Sequence, residues 1–147
     1  MLGAAKRQAT YDVPTGLPNR ALFSDLVNRQ IAIAKRVNAL FSVLYVDLDG
    51  FMPVSDIYGH AAGDAILCEV AGLLWSGLRG SDMAAQLGGD EFAVIFVGAP
   101  SRSAGRIATI LIHALSKPYD FHEEVLRISA SIGVAGYPEA GTEVVSR

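Results

Sequence analysis

Leu87-Gly88-Gly89-Asp90-Glu91-Phe92 is the stretch whose reading decides the fold. Two glycines stand between largely apolar runs, Met83 to Leu87 and Phe92 to Val97. Such runs, joined by a short Gly-Asp segment, predict two antiparallel strands and a tight reversal in which glycine supplies positive φ. The hairpin then carries Asp90 and Glu91 at its tip. Taken alone it is a turn and nothing more, because Gly-Asp pairs are ordinary hairpin residues. A chemical role requires other residues to converge on the two acids.

Upstream, Phe41-Ser42-Val43-Leu44-Tyr45-Val46 is rich in strand formers and runs into Asp47-Leu48-Asp49-Gly50. Side chains alternate along a strand, so Asp47 and Asp49 share one face where the strand opens into a loop. Solvated acids at a strand end are the plain alternative, unless a partner faces them. Apolar residues at helical spacing predict helices over Ala21 to about Asn38, Asp64 to Leu78 and Ser101 to Ser116, with a loop at Phe51 to Ala62. Asp64 then falls in the first turn of its helix. Pro118 to Phe121 reads as a short strand, His122 to Glu124 as a turn, Val125 to Ala135 as a longer strand, and Tyr137 to Gly141 as a loop.

That order predicts an α+β fold: a ferredoxin-like βαββαβ core, its mixed central sheet flanked by helices, in the manner of nucleotide cyclases and polymerase palms. In this topology the first strand and the hairpin are central neighbours, which brings Asp47 to Asp90. Residues 1–11 read as a linker or helix end and 12–147 as the domain, opened by the turn formers Asp12 to Arg20.

The composition fits one domain: 147 residues, 51% of them hydrophobic. A formal net charge of −3 gives no basic field for nucleic acid, and no run of about 18 apolar residues offers a membrane contact. The lone Cys68 predicts a buried small hydrophobe, and with no disulfide partner in the chain a reducing, cytoplasmic setting is expected for this segment, which is compatible with a membrane-tethered parent protein.

Several motifs, in one order and spacing, resemble the GGDEF family, the diguanylate cyclase domains, from Asp12 to the last residue. Besides Gly88 to Phe92 they are Thr15-Gly16-Leu17-Pro18-Asn19-Arg20, Asp47-Leu48-Asp49-Gly50-Phe51, Asp56-Ile57-Tyr58-Gly59-His60-Ala61-Ala62-Gly63-Asp64 and Ser131-Ile132-Gly133-Val134-Ala135. The resemblance implies condensation of two GTP into cyclic di-GMP, one GTP held by each subunit of a homodimer. It implies Mg²⁺ (or Mn²⁺) on Asp47, the Leu48 carbonyl and Asp90, with Glu91 adjacent, and Asp90 as acceptor of the attacking hydroxyl's proton. Hard cations take oxygen ligands, so the residue types suit that chemistry. Backbone amides at Gly50 and Phe51 would meet phosphates, Ser55 and Asp64 the guanine, and His60 the same pocket. Arg79-x-x-Asp82 matches the family's inhibitory product site, binding cyclic di-GMP.

The chain departs from the family at Met52, where a Lys is common, at Ser55, usually Asn, and at Gln86, usually Arg. The family's last helix does not follow within the 147 residues. Two expectations therefore stand side by side. One is an active diguanylate cyclase; the other is a degenerate regulatory module that binds GTP or cyclic di-GMP and controls an attached domain such as a phosphodiesterase. Either would work among other domains of a larger signalling protein.

Overall fold

The computed structural model describes residues 14–138 and, as backbone, 142–146. Its elements are α1 (Arg20–Val37), β1 (Phe41–Asp49), α2 (Phe51–Tyr58), α3 (His60–Ser76), β2 (Met83–Gln86), β3 (Glu91–Val97), α4 (Ser101–Leu115), β4 (Tyr119–Phe121), β5 (Glu124–Leu126), β6 (Ser129–Tyr137) and β7 (Thr142–Ser146). The main sheet has the order β2-β3-β1-β6-β7, and β4 pairs with β5 in a separate ribbon. Its first four strands reproduce the βαββαβ order expected from the sequence, with β1 between β3 and β6.

Each ladder is antiparallel, where a mixed sheet was expected. The cause is topological. The chain crosses over through α3 from β1 to β2, which run the same way, but β3 lies between them, so no parallel pair is ever adjacent.

Alternation on β1 sorts the core into two layers. Leu44, Val46 and Leu48 join Phe92, Val94, Ile132 and residues of α3 and α4 such as Ile66, Leu74, Ile112 and Leu115. Phe41 and Val43 face the other way and pack with Phe23 and Ala34 of α1 and with Ala85, Ala93 and Ile95. α1 starts at Asn19, whose Oδ1 accepts from the Leu22 N–H at 3.1 Å, and ends at Asn38 in the left-handed region, φ 55°. It does not extend over the end of β1. Beyond the edge contact of Phe23 with Tyr45, the same face of the strand is open, and Tyr45, Asp47 and Asp49 are all exposed.

Three elements differ from expectation. The expected loop 51–62 is α2 plus the first turn of α3. Gly50 and Gly59, at φ 82° and 94°, start and separate the two helices, and Pro53 sits in the first turn of α2, where an N–H has no partner to lose. The α3 helix consequently begins at His60, so Asp64 lies beyond its first turn. The expected strand 125–135 is two strands: buried residues alternate unbroken through Leu126, Ile128, Ala130, Ile132 and Val134, but the ladder partner changes from β4 to β1 at Arg127–Ile128. β6 continues to Tyr137, and the rest of the expected 137–141 loop, from 139, lies outside the described residues. Cys68 is exposed rather than buried, its Sγ 3.8 Å from the Pro14 carbonyl, because α3 turns that side toward the lead-in segment instead of the sheet.

Candidate nucleotide and metal site

The open end of β1 is where the acids meet. Asp47 is opposite Glu91 in the β1–β3 ladder, and the Leu48 N–H donates to the Asp90 carbonyl at 2.9 Å, tying the hairpin tip to the strand. Asp49 points the same way as Asp47 and accepts from the Ser131 hydroxyl at 2.8 Å. The Asp47 carboxyl is pushed up from its ordinary value by partial burial first, then by the charges of Asp90, Asp49 and Glu91. Balancing positive charge is thin: Arg20 Nη2 stands 3.9 Å from Glu91 Oε1, with both side chains more than half exposed.

This is an environment that fits a divalent cation. Mutual repulsion of four acids is relieved by a positive ion, and Mg²⁺ characteristically uses one or two carboxylates and takes its remaining oxygens from water and phosphate. Among the described residues no group of three or more His, Cys, Asp or Glu side chains could hold a metal.

The reversal itself is not made as the sequence suggests. Left-handed glycines occur at 16, 50, 59 and 98 among the described residues, and neither Gly88 nor Gly89 is one of them. The tip is a four-residue loop between Gln86 and Glu91, long enough to turn without positive φ there. It is closed by the Leu87 N–H on the Glu91 carbonyl at 2.8 Å and by Gln86 Nε2 on the Gly89 carbonyl at 3.3 Å. Beside it, between the loop and the start of α1, opens a cavity of ≈340 Å³ lined by Asn19, Arg20, Ala21 and Gln86 to Gly89.

Gly50 and buried Phe51 start α2, which places the free amides of a helix N-terminus directly after the β1 acids. Ser55 faces α3 at Gly63: a Cβ on Gly63 would come 2.9 Å from Ser55 Oγ and 3.2 Å from Phe51 Cζ. Gly63 therefore lets the two helices close on each other. His60 and Asp64, four residues apart, lie on one side of α3, and both are exposed, as is Met52 on α2.

Arg79 and Asp82 are placed otherwise. Val97 marks the end of β3 away from the turn, about 20 Å along the strand at ~3.4 Å per residue. There the Asp82 carboxylate accepts from the Val97 N–H (3.1 Å), the Arg79 N–H (3.0 Å) and Arg79 Nε (3.3 Å). Its side chain is 1% exposed. Arg79 Nη2 also donates to the Val97 carbonyl at 2.6 Å, while most of that side chain stays in solvent. Asp82, expected with Arg79 to bind cyclic di-GMP, is thus turned inward and hydrogen-bonded within the chain.

Gln86, where the family usually has Arg, is 4% exposed and lies at the edge of the cavity beside the hairpin tip. Its role had a faint signal in the sequence, the turn-rich segment from Thr15 that it bonds; the Ser131–Asp49 bond had none, because the two residues lie 82 positions apart.

The chain is thus an α+β domain with an antiparallel sheet and with acids gathered at the end of its central strand. The sequence matches the family described as "Diguanylate cyclase, GGDEF domain" over residues 9–146, and the chain belongs to the GGDEF family. It is 43% identical over 133 residues to the bifunctional diguanylate cyclase/cyclic di-GMP phosphodiesterase MucR of Pseudomonas aeruginosa, covering 90% of this chain and 19% of that protein. A sensory box/GGDEF family protein from Caulobacter crescentus CB15 superimposes with a TM-score of 0.81 at 36% identity, covering 88% of this chain and 85% of that one. The GGDEF domain of DgcB from Caulobacter crescentus, solved in complex with cyclic di-GMP, gives 0.82 at 29% identity, with coverage of 87% and 75%. The chain thus spans less than a fifth of the length of MucR. No helix among the described residues is long and apolar enough to cross a membrane.

Proposed function

We propose that this chain is a diguanylate cyclase domain that condenses two GTP into cyclic di-GMP and pyrophosphate, working as a homodimer within a larger cytoplasmic signalling protein. The observation that carries the reading is the bond from the Leu48 N–H to the Asp90 carbonyl, which holds the two candidate metal acids, Asp47 and Asp90, at one end of the sheet.

In this reading Asp47, the Leu48 carbonyl and Asp90 hold Mg²⁺ or Mn²⁺. When bound, the cation screens the triphosphate and makes the ribose 3′-hydroxyl easier to deprotonate. Asp90 accepts the proton of that hydroxyl, and Glu91 adds negative charge opposite Asp47. The amides of Gly50 and Phe51 cradle phosphate oxygens. Asp64 accepts from the guanine edge, Ser55 contributes one hydroxyl, and His60 walls the pocket. Each subunit supplies one half-site, because one bound GTP cannot close the ring.

The second reading, a regulatory module that binds nucleotide without turnover, is favoured by Met52 and Ser55, which leave fewer contacts for phosphate and base. Gln86, where the family usually has Arg, removes a positive charge and favours it too. Product inhibition belongs to both readings, with Arg79 gripping a phosphate beside Asp82, which accepts from the Val97 N–H. The test is to incubate the purified full-length protein with GTP and Mg²⁺ and measure cyclic di-GMP. Product formation is expected, and bound GTP with no product at high protein concentration establishes the regulatory module instead.

A further inference from the structure

Gln86 is a buried polar side chain whose contacts lead from the start of the domain to its acid site. Its Oε1 accepts from the Thr15 hydroxyl at 2.8 Å, and its Nε2 donates to the Gly89 carbonyl at 3.3 Å. Its backbone N–H donates to the Pro18 carbonyl at 2.9 Å. Thr15 Oγ1 in turn accepts from the Leu17 N–H at 3.3 Å, which fixes the rotamer of the hydroxyl. One residue after Gly89 comes Asp90, whose carbonyl is held from the opposite side by Leu48. The tip is therefore suspended between two tethers, one on β1 and one on the segment Thr15–Asn19.

We propose that Gln86 is a positioning residue for Asp90: its carboxamide transmits the position of the lead-in segment to the loop that carries the acid. The inference rests on the reading that Asp90 holds the cation. A buried carboxamide bonded through both of its ends has little freedom, and an unmade bond there costs the desolvation of the group, so movement of Thr15 is passed on to Gly89 rather than absorbed. An upstream domain attached at this end would reach the acid site by that route.

Two variants cut the two halves of the link. Thr15→Val removes the hydroxyl with little change of shape; Gln86→Glu keeps the acceptor for Thr15 but sets a carboxylate against the Gly89 carbonyl. Ser42→Ala is the control, because it removes a buried hydroxyl bonded to the Ala99 carbonyl at the far end of β1. Three quantities are measured on the full chain: thermal stability, hydrogen exchange at the Leu48 amide, and the Mg²⁺ concentration giving half-maximal GTP binding. Both link variants are expected to speed Leu48 exchange and raise the Mg²⁺ midpoint by about fivefold, the factor that a lost neutral hydrogen bond gives. Ser42→Ala should lower stability with neither change. If the link variants behave as Ser42→Ala does, the proposal is overturned. If the unaltered chain binds no GTP at any Mg²⁺ concentration, the functional reading fails by itself, and Leu48 exchange alone decides the role of Gln86.

Discussion

Replacing Asp82 with alanine tests the finding that this residue is structural before it is anything else. The carboxylate is 1% exposed and accepts from two backbone amides, those of Val97 and Arg79, and from the Arg79 guanidinium. A hydrogen bond to a charged acceptor contributes about 1.5 to 3 kcal/mol, so the two backbone bonds at the low end give ~3 kcal/mol. The guanidinium bond adds little, because most of that side chain is in solvent. A loss of ~3 kcal/mol is a large share of the 5 to 15 kcal/mol that stabilises an ordinary domain, roughly. In urea, at a slope of about 1 to 3 kcal/mol per molar, the midpoint should fall by about 1 to 3 M. Equilibrium unfolding of Asp82→Ala followed by circular dichroism is the assay, with Asp82→Asn retaining an acceptor and showing a smaller loss. A midpoint shifted by less than about 0.3 M at unchanged slope would refute the reasoning, since that is a loss of no more than about 1 kcal/mol.

Three other outcomes are expected. Arg79→Ala should weaken cyclic di-GMP binding and leave GTP affinity unchanged, and equal calorimetric affinities for the cyclic dinucleotide before and after would exclude an inhibitory role. Asp47 carries a raised folded-state pKa, so folding favours its protonated form: that contribution is present below the ordinary value of 3.8 and is lost as pH rises through the folded value. Asp47→Asn should therefore raise the melting temperature of the metal-free chain at neutral pH, lose that advantage in acid below 3.8, and abolish Mg²⁺-dependent GTP binding; melts in a chelator at the two pH values check it. Tyr119, buried, bonded through its hydroxyl to the Leu115 carbonyl at 2.7 Å and near Glu69, is pushed up to about 12 from 10.0. Its contribution to stability holds below 10.0 and disappears as pH rises through about 12, so Tyr119→Phe should be less stable than the parent at neutral pH by about 1 kcal/mol, with that deficit shrinking as pH rises through about 12.

Much of the chain was legible because its patterns are local. Helical spacing set α1, α3 and α4 to within a few residues, and the alternation of Phe41 to Asp49 set the direction of Asp47 before any partner was known. The two-fold period through Leu126 to Val134 was correct in phase yet silent on the break at Arg127–Ile128, since periodicity reports which face is buried and not which strand is the partner. The helix α2 escaped notice because eight residues carrying a proline and flanked by glycines give a weak periodic signal.

At the site the division is the same. By itself the sequence determined that Asp47 and Asp49 share a face, that Asp90 and Glu91 follow a glycine pair, and that both segments belong to one family motif set. Only the tertiary structure decided what each polar group touches: Asp82 sealed under Val97, Gln86 inside the link from Thr15 to Gly89, Ser131 on Asp49, Cys68 in the open. The physical reason is that residue type and spacing govern backbone state and burial period through near neighbours along the chain. The partner of a hydrogen bond spanning 71 or 82 positions is instead set by how whole strands are stacked.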